Sequence, residues 1–335
     1  MEDASLGKAL FWETDEEGDV HCLLCPQSCH ISPGHQGICH VRENDEGVLR
    51  SLNYSRVSAR HWDPIEKKPL FHFHPGASIL SLGSVGCNLA CAFCQNWSIS
   101  QGRSATEHMT PEQAVALAQS RKDNVGLAYT YNEPFIWYEF VLETARLAKQ
   151  AGLKNVLVTN GYVNEEPLRR LLPAIDAMNV DIKSMNPDFY RELCHGLPEP
   201  PRRTVEIAKE HGCLVEVTNL IVPNWNDTDA DITSLVDWVA GVDPELPLHF
   251  SRYYPAYKFT EPPTPRETLV HARDLALKKL HYVYVGNISE EEGESTICPS
   301  CGKVVIERHG FAVSRVSLRD GRCQFCGEPI PVVGA

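Results

Sequence analysis

Apolar and polar positions follow two alternating rhythms between about residues 77 and 287. Short runs rich in β-branched and aromatic residues predict strands at Ala77–Gly83, Val125–Tyr131, Asn155–Asn160, Ala177–Lys183, Leu214–Val222, Leu248–Tyr253 and Tyr282–Asn287. Most are apolar along their whole length, which suits strands covered on both faces. Amphipathic segments lie between them. Thr110-Pro111-Glu112-Gln113 reads as a capping box with proline at the first helical position, opening a helix to about Arg121. Pro134 to Gln150 keeps apolar residues near helical spacing and stops before Gly152. Thr264-Pro265-Arg266-Glu267 repeats the capping pattern before another helix. Repeated strand–helix–strand units require a parallel sheet. The expected class is therefore α/β, as a doubly wound sheet or a (β/α) barrel, complete or partial.

Polar residues collect where these strands end: Thr130-Tyr131-Asn132-Glu133, Thr159-Asn160-Gly161, Asp181 with Lys183, and Thr218-Asn219. Parallel strands bring such ends to one face, where barrel active sites lie. Any one of these sets also reads as an ordinary turn or cap. Their recurrence at successive strands favours a shared site.

Composition narrows the class. The chain has 335 residues, 43% of them hydrophobic, enough for one large core with small appendages. The formal net charge is -13. Binding nucleic acid or an anionic membrane along the whole chain needs surplus Lys and Arg, so neither is expected. No apolar run reaches the roughly 18 residues of a membrane-spanning helix. The acidic start MEDASLGKALFWETDEEGDV lacks the pattern of a signal peptide, so the expected compartment is the cytoplasm. In that reducing setting, thirteen cysteines read as metal ligands rather than disulfides.

The cysteines fall into three sets and two singles. Cys22, Cys25, Cys29 and Cys39 form the first set; Cys87, Cys91 and Cys94 the second; Cys298, Cys301, Cys323 and Cys326 the third. Three regions follow: a cysteine-rich N-terminal flank at 1–76, the α/β unit at 77–287, and a C-terminal zinc ribbon at 288–335 that begins with the acidic linker SEEEGES. The middle set is short of a closed site. GCNLACAFCQN supplies three thiolates just after the first strand, whereas a four-iron cube takes four ligands. Three thiolates leave one iron open, and an open metal position marks where a substrate or cofactor binds. The plainer alternative is zinc with its fourth ligand elsewhere.

This stretch, with the polar strand ends, resembles the radical SAM superfamily. The resemblance implies a partial (β/α)6 barrel, a [4Fe-4S] cluster on Cys87, Cys91 and Cys94, and S-adenosyl-L-methionine (SAM) on the open iron. It implies reductive cleavage of SAM to methionine and a 5′-deoxyadenosyl radical that abstracts hydrogen from a substrate. Phe93 matches the position that contacts adenine. Glu133, in TYNEP, stands where many members have Gly-Gly-Glu, whose carboxylate receives the methionine amino group. Asp181 and Lys183, in VDIK, resemble the Asp-Leu-Lys of glycyl-radical activating enzymes, where the lysine pairs with the methionine carboxylate. Thr159-Asn160-Gly161 resembles the Thr-Asn-Gly of the same enzymes, which makes Asn160 a cofactor-site residue. Those enzymes carry an aspartate just before it as part of a cation site, where this chain has Val158. A longer resemblance runs from about residue 20 to the end, through CLLCPQSCHI, RVSARHWDPIEKKPLFHFHPG, EVTNLIVPNWND, PLHFSRYYPAYK and CPSCG…CQFCGEPI. These runs look like the radical SAM enzymes of the AmmeMemoRadiSam system and imply association with Memo-like and AMMECR-like proteins.

The outer sets differ in regularity. Cys298-x2-Cys301-Gly and Cys323-x2-Cys326-Gly are two knuckles with the spacing of a structural zinc site, with strands expected in Val304–Val316. Cys22, Cys25, Cys29 and Cys39 fit zinc or a second iron–sulfur cluster, with His21, His30, His35 and His40 as alternative ligands. Cys194 and Cys213 read as packed thiols, with a radical relay as the alternative for Cys194. His249 and Arg252 read equally as substrate contacts or as a capped strand end. Asp63, Glu66, Lys67 and Lys68 either approach the cavity or form a solvated charged face. The expected function is a radical SAM enzyme supplied by a one-electron donor such as flavodoxin or ferredoxin. The rivals are an activase acting on a partner protein and a non-enzymatic, zinc-braced interaction protein.

Overall fold

The computed structural model describes residues 7–102, 104–288 and 293–335. Most of the acidic linker, at 289–292, lies outside the described residues. The central sheet has eight strands: β1 (Ala59–Pro64), β2 (Ser78–Gly83), β3 (Asn124–Tyr129), β4 (Lys154–Thr159), β5 (Ala177–Asp181), β6 (Leu214–Ile221), β7 (Leu248–Arg252) and β8 (Val283–Gly286). Strands β2 to β8 are parallel, and each pairs with its neighbour in sequence. The order never reverses, so the sheet winds one way, as a barrel does, rather than doubly. It stays open, with β1 and β8 as its edges. Strand β1 is antiparallel to β2, in register Trp62 to Leu80. The alternation along the chain did not announce β1, because its residues ARHWDP are mostly polar.

Six longer helices fill the six crossovers: α1 (Pro111–Gln119), α2 (Tyr138–Gln150), α3 (Glu165–Leu171), α4 (Glu199–Glu210), α5 (Asp229–Val242) and α6 (Arg266–Ala276). This is a partial (β/α)6 barrel with a seventh parallel strand. The capping box of α1 forms: Thr110 Oγ1 accepts from the Gln113 amide at 3.3 Å, and Gln113 Oε1 accepts from the Thr110 amide at 2.9 Å. The second expected box does not form. Thr264 instead donates to the Ile221 carbonyl at 2.6 Å and accepts from the Tyr253 amide at 3.0 Å, tying the ends of β6 and β7 together. The barrel core is built from the apolar strand runs, with Leu80, Leu82, Leu127, Leu157, Val180, Val217 and Phe250 fully buried.

Cysteine-rich regions flank the barrel at both ends of the chain. Residues before β1 form two small antiparallel sheets, one containing Trp12–Thr14, Val20–Cys22 and His30–Ile31. The C-terminal region carries β9 (Val304–His309) and β10 (Ala312–Val316), within the stretch expected to supply ribbon strands. Its Arg308 is buried against the barrel. The guanidinium donates to the Phe71 carbonyl at 2.6 Å and lies 3.5 Å from Glu66 Oε1. Asp63, Glu66 and Lys68 are therefore interior, not a solvated face: Asp63 accepts from Lys68 at 2.7 Å and from Tyr131 at 2.5 Å. Lys67 alone of the four is exposed.

Candidate active site

The three-cysteine loop leaves the C-terminal end of β2. Gly86 turns the chain with φ 87°, and a Cβ there would meet the Cys39 carbonyl oxygen at 2.6 Å, so both conformation and space require glycine. The loop is gripped from several sides. Asn132 accepts from the Ser84 amide at 3.0 Å and donates to the Gly86 carbonyl at 3.0 Å. The amides of Ala90 and Ala92 donate to the carbonyls of Cys194 and Leu193. Asn88 Nδ2 donates to the Tyr162 carbonyl at 2.6 Å. These bonds hold the loop backbone that carries the three cysteines.

Each sulfur has its own surroundings. Asn160 Nδ2 approaches Cys87 Sγ at 3.6 Å and Asn88 Oδ1 at 3.0 Å. Cys94 Sγ lies 3.2 Å from Ser100 Oγ. Cys194 shares a buried cluster with Cys91 and, aided by Lys183, holds the Cys91 pKa below the ordinary thiol value. Burial and the Glu133 carboxylate push Cys87 well up. Cys87, Cys91 and Cys94 do not stand within 4.8 Å of one another, the spacing that a shared single ion needs. A polynuclear centre spreads its thiolates wider, so this set fits an iron–sulfur cluster.

Polar groups from successive strand ends converge here. Asp181 accepts from the Lys183 ammonium at 2.7 Å. Burial alone would lower the Lys183 pKa, but Asp181 and Cys91 raise it above the ordinary value. Asn219 fixes this corner by donating to the carbonyls of Ile182 and Lys183 at 2.8 and 3.1 Å. Glu133 is buried and accepts from the Phe135 amide, the Thr159 hydroxyl and the Asn160 amide at 2.9, 2.7 and 2.8 Å. Burial nevertheless pushes its carboxyl up to about 7. Phe93 is buried beside Phe189, with ring centroids 5.8 Å apart.

The other candidates separate from this group. Cys298, Cys301, Cys323 and Cys326 place all four sulfurs within 4.8 Å of one another. Cys22, Cys25, Cys29 and Cys39 line one cavity against the barrel, while none of the four nearby histidines lines it. Cys213 is buried and packed in the barrel core. His249 is buried within the barrel, its Nε2 2.6 Å from Glu216 Oε2. Arg252 donates from Nε to the Thr264 carbonyl at 2.8 Å. Sequence reasoning missed Asn88, Asn132 and the contact of Cys194 with Cys91. Asn88 and Asn132 sit inside the quoted motifs, so adjacency was their only signal. Tyr131 takes φ 73°, a conformation glycine adopts freely.

A sequence profile described as Radical SAM superfamily matches residues 82–239. The chain is 46% identical over 334 residues to the uncharacterized protein MJ0808 of Methanocaldococcus jannaschii, covering 97% of this chain and 99% of that one. It is 28% identical over 153 residues to the pyruvate formate-lyase 1-activating enzyme of Escherichia coli, covering 43% of this chain and 61% of that one. Among solved structures, the S-adenosylmethionine-bound SuiB of Streptococcus suis aligns with TM-score 0.49 and 14% identity, over 67% of this chain and 53% of that one. A radical SAM methyltransferase from Sphaerobacter thermophilus aligns with TM-score 0.49 and 16% identity, over 87% and 81%. Residues 82–239, which carry the three-cysteine loop and Lys183, thus match the radical SAM superfamily, and part of the chain is similar to the pyruvate formate-lyase activating enzymes. No described helix is long and apolar enough to cross a membrane.

Proposed function

We propose that this protein is a cytoplasmic radical SAM enzyme that abstracts hydrogen from a substrate yet to be identified. Cys87, Cys91 and Cys94 would hold a [4Fe-4S] cluster whose open iron takes SAM. Together the two supply a one-electron cleavage that yields methionine and a 5′-deoxyadenosyl radical. The observation that carries this reading is the three-cysteine loop at the barrel mouth, with Asn160 against Cys87 and the Asp181–Lys183 pair acting on Cys91. Lys183, oriented by Asp181, would meet the ligand carboxylate. Glu133 would receive the ammonium with the Oε2 lone pair left free by its three donors. Phe93 would line the adenine site, and Asn160 would position the Cys87 ligand. An external one-electron donor such as flavodoxin or ferredoxin would reduce the cluster.

The C-terminal cysteines would hold structural zinc. Two of their sulfur pairs lie 3.6 and 3.7 Å apart, close to the ~3.8 Å edge of a tetrahedron with zinc–sulfur bonds of about 2.3 Å. The similarity of several sequence runs to AmmeMemoRadiSam enzymes supports Memo-like and AMMECR-like partners. The test is anaerobic reconstitution followed by dithionite and SAM. 5′-Deoxyadenosine should accumulate with the wild type and not with Cys91→Ala. A reconstituted wild type that binds iron and makes none overturns the reading.

The Asp181–Lys183 pair and the pyruvate formate-lyase activating relatives favour a second reading, an activase that takes hydrogen from a glycine of a partner protein. Val158 counts against the cation site of that group. A glycyl-radical signal on a candidate partner, detected by electron paramagnetic resonance, would support the activase reading over a small-molecule substrate.

A further inference from the structure

The N-terminal cysteines form a site of their own. We propose that Cys22, Cys25, Cys29 and Cys39 hold a second [4Fe-4S] cluster, which takes an electron from an external low-potential donor and passes it to the cluster on Cys87, Cys91 and Cys94.

Spacing separates iron–sulfur from zinc here. Among the described residues, the ribbon sulfurs are the group that closes to within 4.8 Å. No three of Cys22, Cys25, Cys29 and Cys39 do so, and neither do Cys87, Cys91 and Cys94. The N-terminal set thus shares the wider spread of the barrel-mouth set. Thiolates on a single ion with zinc–sulfur bonds of about 2.3 Å stand about 3.8 Å apart, so the wider spread favours the corners of a cube.

The ligand set is all sulfur. The four thiols line one cavity with Leu24, Ile38 and Ile136. The histidines turn elsewhere: His21 Nε2 lies 2.6 Å from Ser28 Oγ, and the His30 ring stacks on His21 at 4.3 Å. Arg42 also lines the cavity and is 1% exposed. Its terminal nitrogens go to Glu139 at 2.9 Å, while its Nε–H is buried without a partner. A cationic side chain with a spare donor suits an anionic tetrathiolate centre.

Position supplies the role. The Cys39 carbonyl abuts Gly86, and Gln27 donates to the Asn88 carbonyl at 2.8 Å, so the cavity backs directly onto the three-cysteine loop. On the other side Cys29 is part-exposed and Ile38 is 42% exposed. The centre therefore lies between solvent and the barrel mouth. In the relay the donor loses one electron, the N-terminal cluster gains and then loses it, and the SAM-binding cluster gains it. No bond forms or breaks. The relay rests on the proposed function; the site does not.

The full chain with Cys87, Cys91 and Cys94 all changed to alanine tests the site. After anaerobic reconstitution it should retain about four irons per chain, with a reduced-cluster resonance that SAM leaves unchanged. A folded variant that carries only zinc overturns the proposal. If that variant does not fold, the wild type decides. About eight irons, in one SAM-sensitive and one SAM-insensitive cluster, support the site, and about four in a single cluster overturn it. For the relay, the wild type is mixed with reduced flavodoxin and frozen rapidly. The SAM-insensitive signal should rise first; the reverse order overturns the relay. Neither metal count depends on SAM cleavage, so the two proposals fail separately.

Discussion

Arg42 and Glu139 form a two-pronged ion pair, both bonds 2.9 Å long and both side chains buried. Arg42 belongs to a strand of the N-terminal flank and Glu139 to the first turn of α2, so the pair fastens the flank to the barrel. Glu139 also accepts from the Leu10 amide at 2.8 Å. Removing the arginine leaves a carboxylate buried without its counter-charge. Arg42→Ala should lower stability by about 3–5 kcal/mol, and the double change Arg42→Met with Glu139→Leu by less. Urea unfolding of the metal-free chains measures both. Equal losses would mean that packing, not charge, holds the flank.

The fold was legible because the barrel strands are apolar along their length and the segments between them keep helical spacing, with the capping box of α1 in place. Leu157 and Val217 are buried on sight. What escaped depended on distant partners. Strand β1 is polar, and its sheet role comes from pairing with β2. Asp63, Glu66 and Lys68 look like a surface run, but they are interior because Lys68, Tyr131 and Arg308 meet them there. Thr264 looks like a helix cap, but the Ile221 carbonyl claims its hydroxyl. Local pattern records propensity, whereas burial of a charge records a contact across the chain.

Glu133 makes stability depend on pH. Its carboxyl is pushed up to about 7 by burial, against an ordinary value of 4.5. The fold then binds this proton more tightly than the unfolded chain does. The resulting stabilisation is full below about pH 4.5 and is lost as pH rises through about 7. The difference between wild type and Glu133→Gln should shrink by about 3 kcal/mol over that window, since each pH unit between the two values contributes about 1.4 kcal/mol. Denaturant unfolding of the metal-free proteins at several pH values checks this, and parallel curves would contradict it.

Cys194 acts on the barrel-mouth site through Cys91, with which it shares a buried cluster and whose pKa it holds down. Hydrogen bonds to ligand sulfur withdraw charge and raise a cluster's reduction potential. Cys194→Ala should keep the iron and shift the midpoint potential of the SAM-binding cluster downward. A redox titration followed by electron paramagnetic resonance reads the shift directly. Loss of iron instead would make Cys194 a ligand, and an unchanged potential would make it packing alone.

Lys183 is the cation best placed for a ligand carboxylate. Its charge is secure, because Asp181 at 2.7 Å and Cys91 raise its pKa against the effect of burial. Its side chain keeps 15% exposure, so the ammonium retains access to the barrel mouth. A hydrogen bond to a charged group contributes about 1.5–3 kcal/mol. Lys183→Met should therefore weaken SAM binding by about 10- to 100-fold, at about tenfold per 1.4 kcal/mol. Equilibrium dialysis of the reconstituted protein measures this, with iron content as the control. Weakened binding at full iron content places the lysine at the cofactor. Unchanged binding would confine it to its pair with Asp181 and move the carboxylate contact to another residue.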